Sequence, residues 1–444
     1  MSGQALPRFW TRRARQAALA AAAVLSVAAA GCSGDDESAP TSTEPLSTTT
    51  TQPRLSDGVL RIGVLLPLTG VGATLGTPLV DMVEKAVGQV NAAGGVLGSD
   101  VQYVVRDEGP DLAAADAAAT ALVEDDGVDA VIGPASSRVA LNVVPGLVSA
   151  GVLTCSPTAT AASLTDLPDQ GLFVRTVASD NLQALAMAAA VTGTGKPLVL
   201  LVYPDDAYGR RFARALREDL ARPGNGLTLV AELAYDPADE DFTAEVEALM
   251  AEPVVVEALE QGSLAPVVAL VGDVDSGSRV LSALLSTPVQ TEVVVNDQLV
   301  NVDLASLVET HGDLSGQFMR VAVNAYDGSA RLGERFGIPE PDVPPFAAAA
   351  TDCVDLIALG AVQAGSDDPA EIAAQLASIS RGGTECDDFA ECLFQIGKDS
   401  NFNFNGSTGL VELDASGDQR AAWFVRIAIS GGEPRRSSFR IPAP

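Results

Sequence analysis

The chain has 444 residues, with 58 Asp or Glu against 27 Lys or Arg and a formal net charge of −31. This acidity disfavours nucleic-acid binding through a basic surface, and the length is too great for one small core, so we expect two lobes. The first 31 residues contain four arginines and no acid, and their removal would leave a charge of −35. Such a charge favours a monomer that stays in solution.

Residues 1–31 have the pattern of a bacterial export signal. Four arginines precede a nearly unbroken apolar run from Ala17 to Ala30, which is too short for a permanent membrane span. The sequence Gly31-Cys32-Ser33-Gly34 then resembles a lipobox, although Ala29 stands where such signals usually have Leu. We favour lipidation at Cys32. Ordinary secretion, with cleavage at the small residues before it, is the alternative.

Residues 32–57 are rich in Ser, Thr, Pro, Asp and Glu and contain few apolar side chains. Such a segment cannot bury enough surface to fold, so we predict a disordered tether. This segment would carry a lipid at its N-terminal end and the globular domain at its C-terminal end. We therefore predict a protein that is anchored to the cell membrane and lies outside the cytoplasm.

From Leu60 onward, strand-like and helix-like segments alternate, which predicts an α/β fold with parallel sheets. Short apolar runs indicate buried strands, and apolar residues three and four apart indicate helices. The first predicted strands are 60–66, 101–106, 128–133 and 152–154. The first predicted helix has Pro78 in its first turn, and the next two cover 113–124 and 140–150.

A second α/β unit follows residues 173–176. Its predicted strands are 198–203, 227–231, 264–271 and 292–296. Its predicted helices run from Tyr208 to about Leu220 and from Thr243 to Met250. Beyond Val300 the patterns weaken, and no internal repeat is visible.

The segment from Leu60 to Gly98 carries the most specific pattern in the chain. A buried strand ends at Pro67, a loop of Thr and Gly residues follows, and the next helix ends in Asn91-Ala92-Ala93-Gly94-Gly95-Val96-Leu97-Gly98. This order is similar to the opening of type I periplasmic binding proteins, the family that includes the leucine/isoleucine/valine-binding proteins of ABC transporters. The resemblance implies two Rossmann-like lobes with parallel sheets, joined by a hinge of three crossings, that hold a small molecule in the cleft between them.

The resemblance also implies the bounds of the lobes. The first lobe is expected to comprise residues 58–177 with 323–417, and the second lobe 178–322 with 418–440. The chain would then cross between the lobes near 176–180, 319–323 and 414–419.

Ligands of open α/β sheets bind beyond the carboxyl ends of the strands, where this sequence has loops rich in Ser, Thr and Gly. Hydroxyls and backbone amides in such loops are good donors to a carboxylate. By the resemblance, Ser137, with Ser136 beside it, contacts the carboxylate of an amino-acid ligand. Thr158 and Thr160 supply a backbone carbonyl and a hydroxyl. The alternative is structural, with the serines capping a helix and Thr160 in a turn.

The second lobe supplies three further candidates. By the resemblance, Tyr208 closes over the ligand and Asp297 takes its ammonium group. The aromatic residue that the family carries after the strand near Val271 is absent, and Asp273 lies in that stretch. A further acid in the cleft favours a more polar or cationic compound than an aliphatic amino acid. Alternatively, Tyr208 packs on its own lobe, and Asp297 caps a helix or faces solvent.

Four cysteines follow Cys32, and an even number in an exported protein indicates disulfides. Cys386 and Cys392 would close a short loop, and we predict that pair. A bond between Cys155 and Cys353 depends on whether the fold brings them together. No metal site is expected, because the only histidine lies far from the cysteines and their spacing does not suit zinc.

Three classes of function remain. The first is a solute-binding lipoprotein that captures an amino acid or similar small polar solute for an ABC permease by hinge closure, without a cofactor. The second is an extracellular sensor of the same fold, which would need a membrane-spanning or signalling segment, and we find no apolar run after Cys32 long enough to span. The third is a secreted enzyme, which the single histidine and the lack of a Gly-x-Ser-x-Gly elbow disfavour. We predict the first.

Overall fold

The computed structural model describes residues 56–260, 265–273, 275–289, 291–299, 304–323, 328–398, 401–409, 411–430 and 433–442. The predicted export signal, Cys32 and the part of the predicted tether before Ser56 lie outside these residues. Asp57 is bonded to the globular chain, since its backbone N–H donates to Asp367 Oδ2 at 3.1 Å. The next two backbone N–H groups donate to the same oxygen at 2.9 and 3.1 Å.

The first lobe is built on a parallel sheet of five strands. They are β1 (Arg61–Leu66), β2 (Gln102–Asp107), β3 (Ala130–Ile132), β4 (Leu153–Ser156) and β5 (Phe173–Arg175). Helices lie between the first four, namely α1 (Ala73–Ala92), α2 (Leu112–Glu124) and α3 (Ser137–Ser149). The strand order is β2-β1-β3-β4-β5, and each pair is parallel.

Strand β1 is covered on both faces. Val64 and Leu66 join a buried cluster that includes α1, whereas Leu65 joins a second cluster with residues of α2 and α3. A strand covered in this way must be apolar along its whole length. This is why the run from Leu60 could be predicted as a strand from sequence.

Helix α1 begins earlier than predicted. Gly76 lies in its first turn, where a Cβ atom would stand 2.0 Å from the carbonyl oxygen of Pro67. The missing side chain lets this turn pack directly against the end of β1, so the helix begins at Ala73. The prediction that Pro78 lies in the first turn was therefore wrong, because that residue is in the second turn.

The second lobe begins with eleven elements in chain order. They are α4 (Asp180–Gly193), β6 (Leu198–Pro204), α5 (Ala207–Leu220), β7 (Thr228–Tyr235), α6 (Thr243–Met250), α7 (Pro253–Glu260), β8 (Val267–Leu270), α8 (Ser276–Leu285), β9 (Glu292–Val295), α9 (Leu304–His311) and β10 (Phe318–Val323). Strands β7, β6, β8, β9 and β10 are neighbours in that order and all run parallel.

The chain then returns to the first lobe. Its elements there are α10 (Ser329–Phe336), α11 (Ala347–Ala364), α12 (Pro369–Ile379), β11 (Thr384–Cys386), α13 (Phe389–Ile396) and β12 (Phe402–Phe404). A final hairpin of β13 (Ala421–Ser430) and β14 (Glu433–Pro442) adds two antiparallel strands to the second sheet. That sheet has the order β14-β13-β10-β9-β8-β6-β7, which confirms the predicted α/β class with two parallel-rich sheets.

Helix α11 is the central helix of the first lobe, and every residue from Ala347 to Ala361 is buried. Among the residues described, it is the helix that is long and apolar enough to cross a membrane. The expectation that no run after Cys32 has this property was therefore wrong. Its side chains are buried because it packs against α1, α12 and the first sheet.

The chain passes between the two sheets three times. It leaves the first sheet after β5, leaves the second after β10, and enters the second again at β13. Residues 319–323, where a crossing was expected, belong to β10, because they pair with β9 and β13. The second crossing therefore lies beyond Val323.

Both disulfides lie in the first lobe. Cys155 of β4 bonds to Cys353 of α11, with Cα atoms 5.8 Å apart. Cys386 of β11 bonds to Cys392 of α13, with Cα atoms 5.3 Å apart. The second pair was predicted from its short loop. The first pair forms because α11 packs directly on β4.

Candidate functional site

A cavity of about 490 Å³ lies between the two lobes. The first lobe contributes residues of α3 and of the loop after β4. The second lobe contributes residues of α5, the first residue of α4 and a loop residue beyond β8. Its lining includes Ser137, Leu141, Asp180, Tyr208, Phe212 and Asp273.

Three of the predicted hydroxyl residues hold the first-lobe loops together. Ser137 Oγ accepts from the Ala161 backbone N–H at 3.1 Å, and Thr158 Oγ1 donates to the Ala135 carbonyl at 2.7 Å. Ser136 caps α3 through its Oγ. The structural alternative predicted this cap. Ser137 lines the cavity, whereas Ser136 and Thr158 are not among its lining residues. A ligand role for all three stays a prediction.

Thr160 connects the first-lobe loop to α4. Its carbonyl accepts from the Asp180 backbone N–H at 2.7 Å, and its side chain bonds to the Asp180 carboxylate. Asp180 is only 4% exposed, so burial raises the pKa of its carboxyl. The bond from Thr160 and the charge of Arg175 oppose that rise. Thr160 and Asp180 therefore form one unit at the edge of the cavity.

Asp297 follows β9 and lies beside the cavity, close enough to Asp180 for the two charges to interact. Burial, and then the charge of Asp180, raise the pKa of Asp297 to about 7, while a hydrogen bond with the Gln183 side chain lowers it. Gln183 is fully buried, and its Oε1 has no hydrogen-bond partner among the described residues. A cation placed between the two aspartates would relieve their repulsion.

Tyr208 is held at the cavity by a buried amide. Asn296 Nδ2 donates to Tyr208 Oη at 2.8 Å, and Asn296 Oδ1 accepts from the Gly272 backbone N–H at 3.0 Å. This amide therefore ties the ends of β8 and β9 to α5. Burial, with the nearby charges of Asp180 and Asp297, raises the pKa of the Tyr208 hydroxyl, which stays neutral.

Asp273 lines the cavity and also supports the first turn of α8. Its Oδ1 accepts from the Ser276 backbone N–H at 2.7 Å, and both of its oxygens accept from the Ser276 hydroxyl at 3.1 Å. A carboxylate at a helix N-terminus is stabilised there by the peptide dipoles. Asp273 therefore has a structural role whether or not it contacts a ligand.

Sequence reasoning missed three polar residues beside the cavity. Asp180 served only as the end of a predicted crossing, Asn296 served only as the end of a predicted strand, and Gln183 had no predicted role. Asp180 and Gln183 are three residues apart on one helix, which places both side chains on the same face. An amide such as Asn296 at the end of a buried strand needs partners. These two signals could have found them.

Comparisons with known proteins agree with this arrangement. Residues 59–389 match the family model described as periplasmic binding protein. The chain belongs to this family. The family predicted from the opening motif is therefore confirmed. It is a family of solute-binding proteins that act outside the cytoplasm and are not enzymes.

Two sequence relatives and one solved structure show how far the likeness extends. BraC3, a Leu/Ile/Val-binding protein of Rhizobium johnstonii, is 35% identical over 205 residues, which span 46% of the present chain and 54% of BraC3. BasB, the substrate-binding protein of a chemotactic signal transduction system in Halobacterium salinarum, is 26% identical over 386 residues, or 84% of the present chain and 87% of BasB.

The solved structure is an ABC transporter substrate-binding protein from Desulfitobacterium hafniense in complex with Leu. It has a TM-score of 0.62 and 20% identity, and the match covers 85% of the present chain and 100% of that chain. This likeness supports the fold. The binding protein matches only about half the length of BraC3.

Proposed function

We propose that this binding protein captures an amino acid, or a similar small polar solute, and delivers it to an ABC permease. The distribution of groups around the cavity carries the proposal. Hydroxyls and loop amides lie on the first-lobe side, and the acid pair of Asp180 and Asp297 lies beside them. A zwitterion matches this distribution, with its carboxylate toward Ser137 and its ammonium toward the two aspartates. The names of BraC3 and of the Leu complex support the same ligand class.

Binding by closure follows from the division of the site between lobes. A solute that contacts both Ser137 and Tyr208 stabilises the closed arrangement over the open one, and the closed form docks on the permease. An ion pair between Arg211 Nη1 and Asp166 Oδ2, 2.9 Å long, joins the lobes beside the cavity. Both side chains are exposed, so this pair contributes little, and the solute supplies most of the closing free energy.

The cavity offers the side chain of the solute both apolar and acidic lining residues. Leu141 and Phe212 are apolar and suit an aliphatic or aromatic group. Asp273 is acidic and suits a polar or cationic group. The lining therefore suits an amino acid with either an apolar side chain or a polar, cationic one.

We expect a matching amino acid to raise the unfolding temperature of the mature protein by several degrees. A ligand that binds only the folded state, at about 100 times its Kd, adds about 2.7 kcal/mol to the free energy of unfolding. Differential scanning fluorimetry with amino acids, amides, polyamines and short organic acids measures this directly. No shift with any zwitterion would overturn the amino-acid proposal, and a shift with polyamines alone would assign the cavity to cations.

We also propose that Cys32 carries a lipid that anchors the protein to the cell membrane. The lipobox-like sequence and the apolar run before it support this. Cys32→Ala should move the exported protein from the membrane fraction to the soluble fraction, as measured by cell fractionation and immunoblotting. Ser33→Ala is the control and should stay with the membrane. Retention of Cys32→Ala in the membrane fraction would remove the anchor.

A second candidate is presentation of the captured solute to a membrane-bound sensor rather than to a permease, which makes the chain part of an extracellular ligand-sensing receptor. The similarity to BasB over most of both chains favours it. Both candidates bind the same solute, so affinity measurements do not separate them. Permease and ATPase genes beside this gene would support the importer, whereas a chemotaxis transducer gene would support the sensor.

A further inference from the structure

Arg175, the last residue of β5, is fully buried and uses all five N–H donors of its guanidinium. Nε and Nη2 donate to the two oxygens of Asp418 at 2.6 and 2.9 Å. Nη1 donates to the carbonyls of Ala159 and Ala161 at 3.2 and 3.0 Å. Nη2 also donates to Thr165 Oγ1 at 2.8 Å. No donor is left for a solute, so any effect of Arg175 on binding passes through its neighbours.

One side of this network is the third crossing between the lobes. Asp418 lies there, three residues before β13. The carbonyl of Gly417 accepts from the Arg175 backbone N–H at 3.0 Å, and Gln419 Nε2 donates to the Thr176 carbonyl at 3.1 Å. The end of β5 is thus bonded to the crossing through both side chains and backbone.

The other side is the loop that carries Thr160. The two carbonyls that Arg175 binds belong to Ala159 and Ala161, the residues on either side of Thr160. Thr160 in turn bonds to the backbone and side chain of Asp180. A planar guanidinium with a bidentate carboxylate partner has little freedom to rotate. A displacement of the third crossing is therefore transmitted to Thr160 and Asp180 through the rigid guanidinium of Arg175.

We propose that Arg175, held by Asp418, is a positioning residue that couples the hinge to the ligand loop and keeps Thr160 and Asp180 in the geometry that binds solute. The inference rests on the proposed function, because it takes these two residues as part of the ligand site. Residues that orient the ligand-contacting groups change the affinity of a site without touching the ligand. Arg175 therefore controls affinity as well as stability.

The test compares Arg175 with Arg335, an arginine of the first lobe whose side chain is 10% exposed. Arg175→Lys keeps the positive charge and loses the planar guanidinium that donates to Asp418 and to the two carbonyls. Arg335→Lys is the matched control, because Arg335 forms a similar pair with Asp355 at 2.7 Å elsewhere in the first lobe. Calorimetry with the amino acid that gives the largest thermal shift should show Kd weakened at least about tenfold by Arg175→Lys and less than about twofold by Arg335→Lys.

Hydrogen exchange of the ligand-free proteins provides a second readout. The peptide 157–165 should exchange faster in Arg175→Lys than in the wild type, and at the wild-type rate in Arg335→Lys. If no amino acid binds the wild type, the proposed function fails, while this exchange still reports whether Arg175 holds the loop.

Three results would overturn the inference. One is an unchanged Kd in Arg175→Lys with a lowered unfolding temperature, and another is equal weakening by both variants. The third is wild-type exchange of the peptide 157–165 in Arg175→Lys. Where Arg175→Lys does not fold, Asp418→Asn takes its place in the same measurements, since it keeps the size of the side chain and removes its charge.

Discussion

Asp297→Asn is expected to weaken the binding of an ammonium-bearing solute by roughly 30- to 5,000-fold. Loss of one member of a buried, hydrogen-bonded charge pair costs about 2–5 kcal/mol. Asp297 lies close to Asp180, and burial with that neighbouring charge raises its pKa to about 7. Asn keeps the shape of the side chain and removes the charge that the ammonium would meet. Titration calorimetry above pH 7, where the wild-type carboxylate is ionised, measures the change.

The ligand-free protein should respond differently. Because the folded pKa of Asp297 lies above its unfolded value of about 4, its contribution to stability is present below that value and is lost as the pH rises through 7. Above pH 7, the Asn variant should therefore unfold at the wild-type temperature or higher. A variant that loses binding and also unfolds well below the wild type would instead indicate a damaged fold.

The fold was predictable where a segment buries one face, or where a short strand is covered on both faces. The helix from Thr243 to Met250 was predicted with the bounds that the structure has, because its apolar residues mark one side. Helix α11 was not predicted, since it is buried on all sides from Ala347 to Ala361 and has no polar face to mark a period.

The C-terminal hairpin was missed for a different reason. Strand β14 carries Arg435, Arg436 and Arg440 and forms the edge of the second sheet. Charged side chains on an edge strand discourage pairing with other chains, but they remove the apolar alternation by which a strand is recognised. The local sequence pattern of β14 therefore does not predict that it pairs with β13.

The lining of the cavity was predictable where a loop directly follows a strand. Ser137, Tyr208 and Asp273 come after three different strands and line the same cavity. Asp180 was missed because the sequence pattern marked it only as the end of a predicted crossing between the lobes. Its further importance comes from Thr160, which is distant in the chain and bonds to it across the first crossing.

The first crossing is bonded both to α11 and to the third crossing. Thr176 Oγ1 donates to the Ala349 carbonyl at 2.7 Å, at the start of α11. Its backbone carbonyl accepts from Gln419 in the third crossing. Segments that connect the lobes thus meet beside the disulfide between β4 and α11, since Thr176 Oγ1 lies 3.3 Å from Cys353 Sγ.

Replacement of both Cys155 and Cys353 by Ala is expected to lower the free energy of unfolding by about 2–5 kcal/mol. The bond closes a loop across a sequence separation of 198 residues, so its loss frees a large part of the unfolded chain. Both residues are fully buried. Denaturant unfolding followed by circular dichroism measures the change.

The pair Cys386 and Cys392 provides the matched control, because the same atoms are removed from equally buried positions. Its sequence separation is only 6, so the chain-entropy contribution of this bond is smaller by about 3 kcal/mol. The variant lacking the long-range bond should therefore have the lower unfolding midpoint. Equal midpoints for the two double variants would mean that local packing, and not the constraint on the unfolded chain, determines what these disulfides contribute.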